Sequence, residues 1–349
     1  MTTRLVLASL AVDYHMGQQV FEDELAGRAP GVLGRGWEVR RVTTRTLRST
    51  TPGTDRVPAW VLHGAPPRVR RAAGRVLYRG ADVVHRLDLR MPPAAGEVLT
   101  VLDLAVTRFP DEAPLPPDTT ESARRARFVV CPSEFSAADV GEQLGLTEVV
   151  VIPIGVDPAF FEGRPATGER LNELGIRAPF VLHAGGCSLR KNLAGLADAW
   201  PRVRACRPET SLVLVGPADP RRDHLFGGLP GTVRAGRLDD ADVRGVMAAA
   251  SVVVVPSLFE GFGLPALEAM ASGVPVVAAD RSSLPEVCGG AALLVEPTGA
   301  GLAEGILAVL EGDPGAGPRL ERGIARAGQF TWEASARGHA ELWRRAAVG

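Results

Sequence analysis

Short apolar runs recur along this chain, and most are followed by a segment with helical spacing. The runs are too short for buried helices, and polar residues or prolines close them, so they read as buried strands. In the first half they are Leu5–Leu10, Trp37–Val42, Asp82–His85, Val98–Asp103, Phe128–Cys131 and Glu148–Ile154. In the second half they are Phe180–Ala184, Ser211–Val215, a short strand from Val233, Val252–Val255, Val274–Ala279 and Ala291–Val295. Helical patterns include Val20–Leu25, Ala137–Leu144, Lys191–Val203, Asp240–Ala250, Leu264–Ser272, Leu302–Leu310, Arg319–Ala327 and a last one at Thr331–Arg345. The prolines and glycine of Pro153–Pro158 read as an interdomain joint. The fold class expected is α/β, with two doubly wound Rossmann-like domains facing a cleft, one over 1–155 and one over 156–330.

A length of 349 residues suits two domains. The formal net charge of −1 gives no basic excess, which argues against a nucleic-acid partner. Among 39 Lys plus Arg the single lysine is Lys191, and lysine and arginine are not interchangeable as charge donors. Cys131, Cys187, Cys206 and Cys288 lack C-x-x-C spacing. That fits reduced thiols in a cytoplasmic protein, not a disulfide frame or a zinc site. Leu5–Val12 runs into Asp13 and reads as a first strand, not a signal peptide. No window approaches the ~18 apolar residues of a membrane span, so no integral membrane segment is expected. Residues 44–57 read as loop. Pro66–Gly80 carries Arg68, Arg70, Arg71, Arg75 and Arg79. A solvated helix face is favoured for it, with peripheral contact to an anionic membrane surface as the alternative.

Two stretches point to a ligand. In the first, Val252–Asp280, a strand leads into Glu260-Gly261-Phe262-Gly263, then a helix from Leu264 and a second strand. A glycine loop feeding a helix N-terminus offers backbone N–H groups and about half a positive charge to an anion. Gly261 and Gly263 allow close approach. Glu260 suits hydroxyls of a hexose, and Glu268 on the helix suits a vicinal diol such as ribose. The plain alternative is an ordinary strand–helix turn with a surface glutamate, since Gly-x-Gly alone is weak. In the second stretch, Ala184–Asn192, a strand ends in Gly185-Gly186, and Arg190 and Lys191 stand where a helix begins. Adjacent cations beside helix amides suit a diphosphate; a solvated basic pair is the alternative. Asp240-Ala241-Asp242 spells a metal-binding Asp-x-Asp, but its place before a helix fits capping better.

With Ile152–Asp157 and Gly236-Arg237-Leu238, these stretches resemble the retaining GT-B glycosyltransferases of the group 1 family, numbered family 4. The spacing from Glu260 to Glu268, the run EGFGLPALEAMASGVPVVA, the triplet Arg190-Lys191-Asn192 and Ser282–Val287 carry the resemblance, which is strong from about 150 to 330. It implies a nucleoside-diphosphate-sugar donor, UDP- or GDP-linked, and a hydroxyl acceptor entering from the N-terminal domain. Arg190 and Lys191 would hold the diphosphate, and Glu260 the sugar. Gly261, Phe262, Gly263 and Leu264 would offer backbone amides. Gly236, Arg237 and Leu238 would border the base, and Glu268 the ribose. Gly17 and Asp103 would serve the substrate from the first domain, and helix 331–349 would pack back on that domain. Retention would need no metal or other cofactor. The chain departs from the family at Gly185, where a polar residue is common, at Gly17-Gln18-Gln19, a reduced glycine loop, and at Leu102, where a histidine is common. His15 and His85 are the candidate substitutes. The other functional readings are a degenerate sugar-nucleotide-binding protein and an epimerase or phosphorylase on the same architecture.

Overall fold

The computed structural model describes residues 2–12 and 17–348. They divide into two compact units: residues up to Gly155 together with those from Trp332 onward, and Val156–Thr331.

The first unit is built on seven parallel strands: β1 (Thr3–Leu10), β2 (Trp37–Thr46), β3 (Asp55–Val57), β4 (Val83–Arg86), β5 (Val98–Thr100), β6 (Phe128–Cys131) and β7 (Val150–Val151), in the order β3-β2-β1-β4-β5-β6-β7. Its helices are α1 (Gly17–Leu33), α2 (Ala59–His63), α3 (Pro67–Leu77), α4 (Thr119–Arg125) and α5 (Glu134–Leu144). Residues 44–57 are not loop throughout. β2 continues to Thr46 and β3 pairs beside it, because an edge strand needs no long apolar run to close a sheet.

The arginine-rich helix α3 is not simply a solvated face. Arg70 is fully buried. Its Nε donates to Asp118 Oδ1 at 2.8 Å, and its Nη1 and Nη2 donate to the carbonyls of Val61, Leu62, Leu89, Arg90 and Met91. Arg86, also buried, pairs with Glu97 and donates to the carbonyls of Leu89 and Met91. The two guanidiniums satisfy carbonyls that the loop after β4 would otherwise bury unpaired, and so fix the course of residues 89–91.

The second unit holds β8 (Phe180–Ala184), β9 (Ser211–Val215), β10 (Thr232–Gly236), β11 (Val252–Val255), β12 (Val276–Ala279) and β13 (Leu293–Val295), all parallel, in the order β10-β9-β8-β11-β12-β13. Between them run α6 (Gly168–Glu173), α7 (Leu193–Cys206), α8 (Pro220–Phe226), α9 (Asp240–Ala249), α10 (Leu264–Ala271), α11 (Leu284–Cys288), α12 (Gly299–Leu310) and α13 (Ala316–Ala327). β11 is four valines, all buried, as a central parallel strand covered on both faces requires. Val181, Leu212, Leu214, Val252, Val254 and Val277 join Leu196, Trp200, Leu302 and Ile306 in one core.

The last helix, α14 (Trp332–Ala347), belongs to the first unit. Trp343 is fully buried, and its Nε1 donates to His85 Nδ1 at 3.1 Å. His85 Nε2 therefore carries the ring proton and donates to Thr100 Oγ1 at 2.8 Å. Burial, with His339 stacked alongside, holds His85 neutral. His85 is thus a core residue with both nitrogens in use and does not replace the histidine absent at Leu102. His15 lies outside the described residues. Among the described residues no helix is long and apolar enough to cross a membrane.

Candidate functional site

In a doubly wound sheet, ligands bind outside the carboxyl ends of the strands where the strand order reverses. In the second unit β8 is that point, with β9 on one side and β11 on the other. The loops leaving β8 and β11 are the two that the sequence singles out.

The loop after β8 does not open directly into a helix at Lys191. A 3₁₀ turn covers Leu189–Lys191, and α7 starts only after Asn192. Asn192 is left-handed (φ 53°), a conformation that asparagine tolerates better than most residues. Its Oδ1 accepts from Gly195 N, capping α7, and its Nδ2 donates to Pro256 O at 3.0 Å and Pro297 O at 2.8 Å. One side chain thereby ties together three loops at the carboxyl edge of the sheet. Arg190 and Lys191 are held just before it.

The loop after β11 brings Glu260 to these cations. Lys191 Nζ donates to Glu260 Oε1 at 2.6 Å, Arg190 Nη1 to Oε2 at 3.2 Å, and Ser257 Oγ to Oε1 at 2.7 Å. Burial alone would raise the Glu260 carboxyl, but Lys191 and then Arg190 pull it down to about 2. The peptide of Glu260 is fixed as well. Its N–H donates to Ser282 Oγ, and its carbonyl accepts from Ser283 Oγ, both at 2.9 Å. Ser282 sits at φ 52°, left-handed and strained for a serine, in the conformation that presents this acceptor.

Gly263 ends the loop at φ 104°, and a Cβ there would lie 2.8 Å from Leu284 Cδ2. Glycine is needed for conformation and for space. Leu264 opens α10; Pro265 carries no N–H, and the N–H groups of Ala266 and Leu267 donate to Gly263 O at 3.0 and 3.4 Å, so in this first turn the Leu264 amide, with the helix dipole behind it, is the one placed for a ligand. Gly261 lies in the loop, buried. The Phe262 side chain is buried against Phe330, ring centroids 5.5 Å apart, so only its backbone is placed for a ligand. Glu268 lies in α10, partly exposed. Desolvation raises its carboxyl to about 7, with Asp157 and Asp240 adding to the rise.

Gly236 closes β10 at φ 70°, and Arg237 and Leu238 lead to α9, two strands from β8. Asp239 caps α9 by accepting from Asp242 N at 2.8 Å, and Asp242 pairs with Arg170. The cap is thus the preceding Asp239, and of the Asp-x-Asp pair the Asp242 carboxylate is engaged in an ion pair with Arg170.

Sequence reasoning missed several supports of this site. Arg222, buried in α8, donates to Gly185 O at 2.8 Å and reaches Pro217 O. Buried His183 holds Val254 O through Nδ1, which leaves its Nε2 an unpaired acceptor among the described residues. Gly216 (φ 139°) has no room for a side chain, since a Cβ would stand 2.0 Å from Gly185 O and 3.1 Å from Arg222 Nη2. Gly216→Ala is expected to cost about 2 kcal/mol or more, read as a lower urea midpoint. Only Ser282 and Ser283 carried a sequence signal, through the matching segment that contains them.

Gly17 and Asp103 lie in the first unit. Gly17 opens α1. Asp103 Oδ1 accepts from Ala105 N and starts the turn after β5. The strand order of this unit reverses at β1, between β2 and β4. Gln18 Nε2 there donates both to Glu22 Oε1 at 3.0 Å and to Asp88 Oδ2 at 3.1 Å, and Arg90 pairs with Asp88. Burial, then Asp88, raises the Glu22 carboxyl to about 8. An amide nitrogen shared by two carboxyls turns the Gln18 carbonyl oxygen away from them, as an acceptor for a donor group.

A family model, Glycosyl transferases group 1, matches residues 178–312. O-antigen chain mannosyltransferase B of Escherichia coli is 38% identical over 162 residues, 44% of this chain and 42% of that protein. The chain thus spans less than half the length of that relative. Phosphatidyl-myo-inositol mannosyltransferase of Mycobacterium tuberculosis is 30% identical over 293 residues, 76% of this chain and 74% of that protein. Among solved structures, sucrose-phosphate synthase from Thermosynechococcus elongatus superposes with a TM-score of 0.76 at 23% identity, covering 98% of each chain. That likeness fixes the fold as the GT-B architecture, and together with the sequence matches it places this chain in the group 1 glycosyltransferases.

Proposed function

We propose that this protein transfers a hexosyl group from a UDP- or GDP-sugar to a hydroxyl of a small molecule or glycan, retaining the anomeric configuration and using no metal. The observation that carries the reading is the convergence of Arg190, Lys191 and Glu260 at the strand-order reversal, beside the N-terminus of α10. The names of the two mannosyltransferase relatives support a hexosyl donor.

In the reaction the bond from the anomeric carbon to the phosphate oxygen breaks. The acceptor oxygen bonds on the same face, and the departing phosphate takes the acceptor's proton. Negative charge grows on the diphosphate, where two cations and a helix N-terminus stabilise it without reorganising. Glu260 receives the sugar hydroxyls and Glu268 the ribose diol. The Gln18 carbonyl, set by Glu22 and Asp88, is the group we assign to the acceptor. Nucleotide release from candidate sugar nucleotides, with the product's anomeric configuration read by NMR, tests the reading. Inversion would sink the mechanism. A nucleotide that stabilises the protein while no donor is turned over would favour a binding module.

Glu268→Ala is expected to raise the donor KM about 10–100-fold with kcat nearly kept, because the ribose bonds exist in ground and transition states alike. A large fall in kcat at unchanged KM would contradict the role. The pH dependence has a sign. Below about 7 the Glu268 carboxyl is protonated and loses one of its two acceptor oxygens. The donor KM should therefore fall as pH rises through about 7, and Glu268→Gln should flatten that limb.

A further inference from the structure

The cations assigned to the diphosphate are already engaged by a carboxylate of the same chain. Glu260 presents one oxygen to the Lys191 ammonium at 2.6 Å and the other to the Arg190 guanidinium at 3.2 Å. An anionic oxygen bridging these two groups is what a phosphate would offer them. Glu260 is only 5% exposed, so its charge exists there because these donors and Ser257 satisfy it. An arriving diphosphate meets two cations and one anion, a field of roughly one positive charge instead of two.

For the phosphate to take both cations at full strength, Glu260 must let go. A buried carboxylate that leaves its donors needs others. Vicinal hydroxyls of a sugar supply two O–H donors, whereas pyrophosphate and a bare nucleoside diphosphate supply none beside this carboxylate. The exchange needs no loop movement. The Glu260 peptide stays pinned by Ser282 and Ser283 while the side chain rotates.

We propose that Glu260 makes capture of the diphosphate conditional on the sugar attached to it. Resting on the donor-site reading above, this makes Glu260 a specificity-determining residue that acts before the chemical step and again after it. A donor that carries its sugar releases the cations by giving Glu260 new partners. Once the sugar has left, Glu260 returns to Lys191 and Arg190 and competes with the product diphosphate, favouring its departure.

The test is calorimetric titration of the full chain and of Glu260→Gln with inorganic pyrophosphate, then with UDP against UDP-glucose and GDP against GDP-mannose. Removing the competing charge is expected to tighten pyrophosphate binding about tenfold or more. It should also shrink the wild-type preference for a sugar nucleotide over its bare diphosphate. Ser257→Ala, which removes one donor from Glu260 without changing charge, is expected to move pyrophosphate binding the same way by a few-fold and covers a failure of the first variant to fold. Unchanged or weaker pyrophosphate binding in both variants, with sugar nucleotides still bound, would overturn the proposal and leave the donor site standing. Tighter pyrophosphate binding with no sugar nucleotide bound by any of the proteins would overturn both.

Discussion

Lys191→Ala is expected to lower kcat about 10²–10³-fold, the scale of a lost oxyanion donor. The effect has two sources. The ammonium that would meet the departing phosphate is gone, and Glu260 loses its shortest partner, the 2.6 Å contact from Lys191 Nζ. Arginine should restore only part of the rate, because a planar guanidinium cannot place a compact charge at the same point. Steady-state kinetics with saturating donor reads the outcome, and a melting curve separates lost chemistry from a lost fold. Near-normal turnover would remove Lys191 from the leaving-group role.

The second large effect is on stability. Arg70→Met is expected to cost about 3–5 kcal/mol, read as a lower urea midpoint, because it leaves Asp118 buried without its partner. Asp118 is 2% exposed; Arg70 holds its Oδ1, and its Oδ2 has no hydrogen-bond partner among the described residues. The same change takes the Arg70 donor from the Arg90 carbonyl and leaves those of Leu89 and Met91 with Arg86 alone, in the loop that carries Asp88 and Arg90 to the strand-order reversal of the first unit. Loss of stability should therefore come with a raised acceptor KM. A change below about 1 kcal/mol would mean that water or repacking satisfies these groups.

The fold was legible because its signal is local. Four consecutive valines at Val252–Val255, and apolar runs closed by glycine or proline elsewhere, can be read without neighbours. The glycine loop and its two glutamates were equally plain, since strand, loop and helix are contiguous from Val252 to Ala271. What stayed hidden depends on residues far apart in the chain. Arg70 sits in a run of arginines that looks solvated, and only its partner 48 positions away reveals a buried ion pair. The Glu22–Gln18–Asp88 cluster needs β1 and β4 side by side, across 70 residues. Helical spacing alone puts Lys191 at a helix start, because the left-handed turn at Asn192 leaves no periodic trace. The motif marks Glu260 as a sugar ligand but carries no sign of its contact with the two cations, 69 and 70 residues away.

The central claim is that the second unit holds a sugar nucleotide through Arg190, Lys191, Glu260 and Glu268. Its most direct test is the formation of UDP from UDP-glucose and of GDP from GDP-mannose, followed chromatographically with cell extract supplying acceptors, for the full chain and for Lys191→Ala. The account predicts that one of the two donors yields its nucleoside diphosphate and that Lys191→Ala suppresses this at least a hundredfold, about the scale set above. Equal release by both proteins, or no binding and no release with either donor, would contradict it.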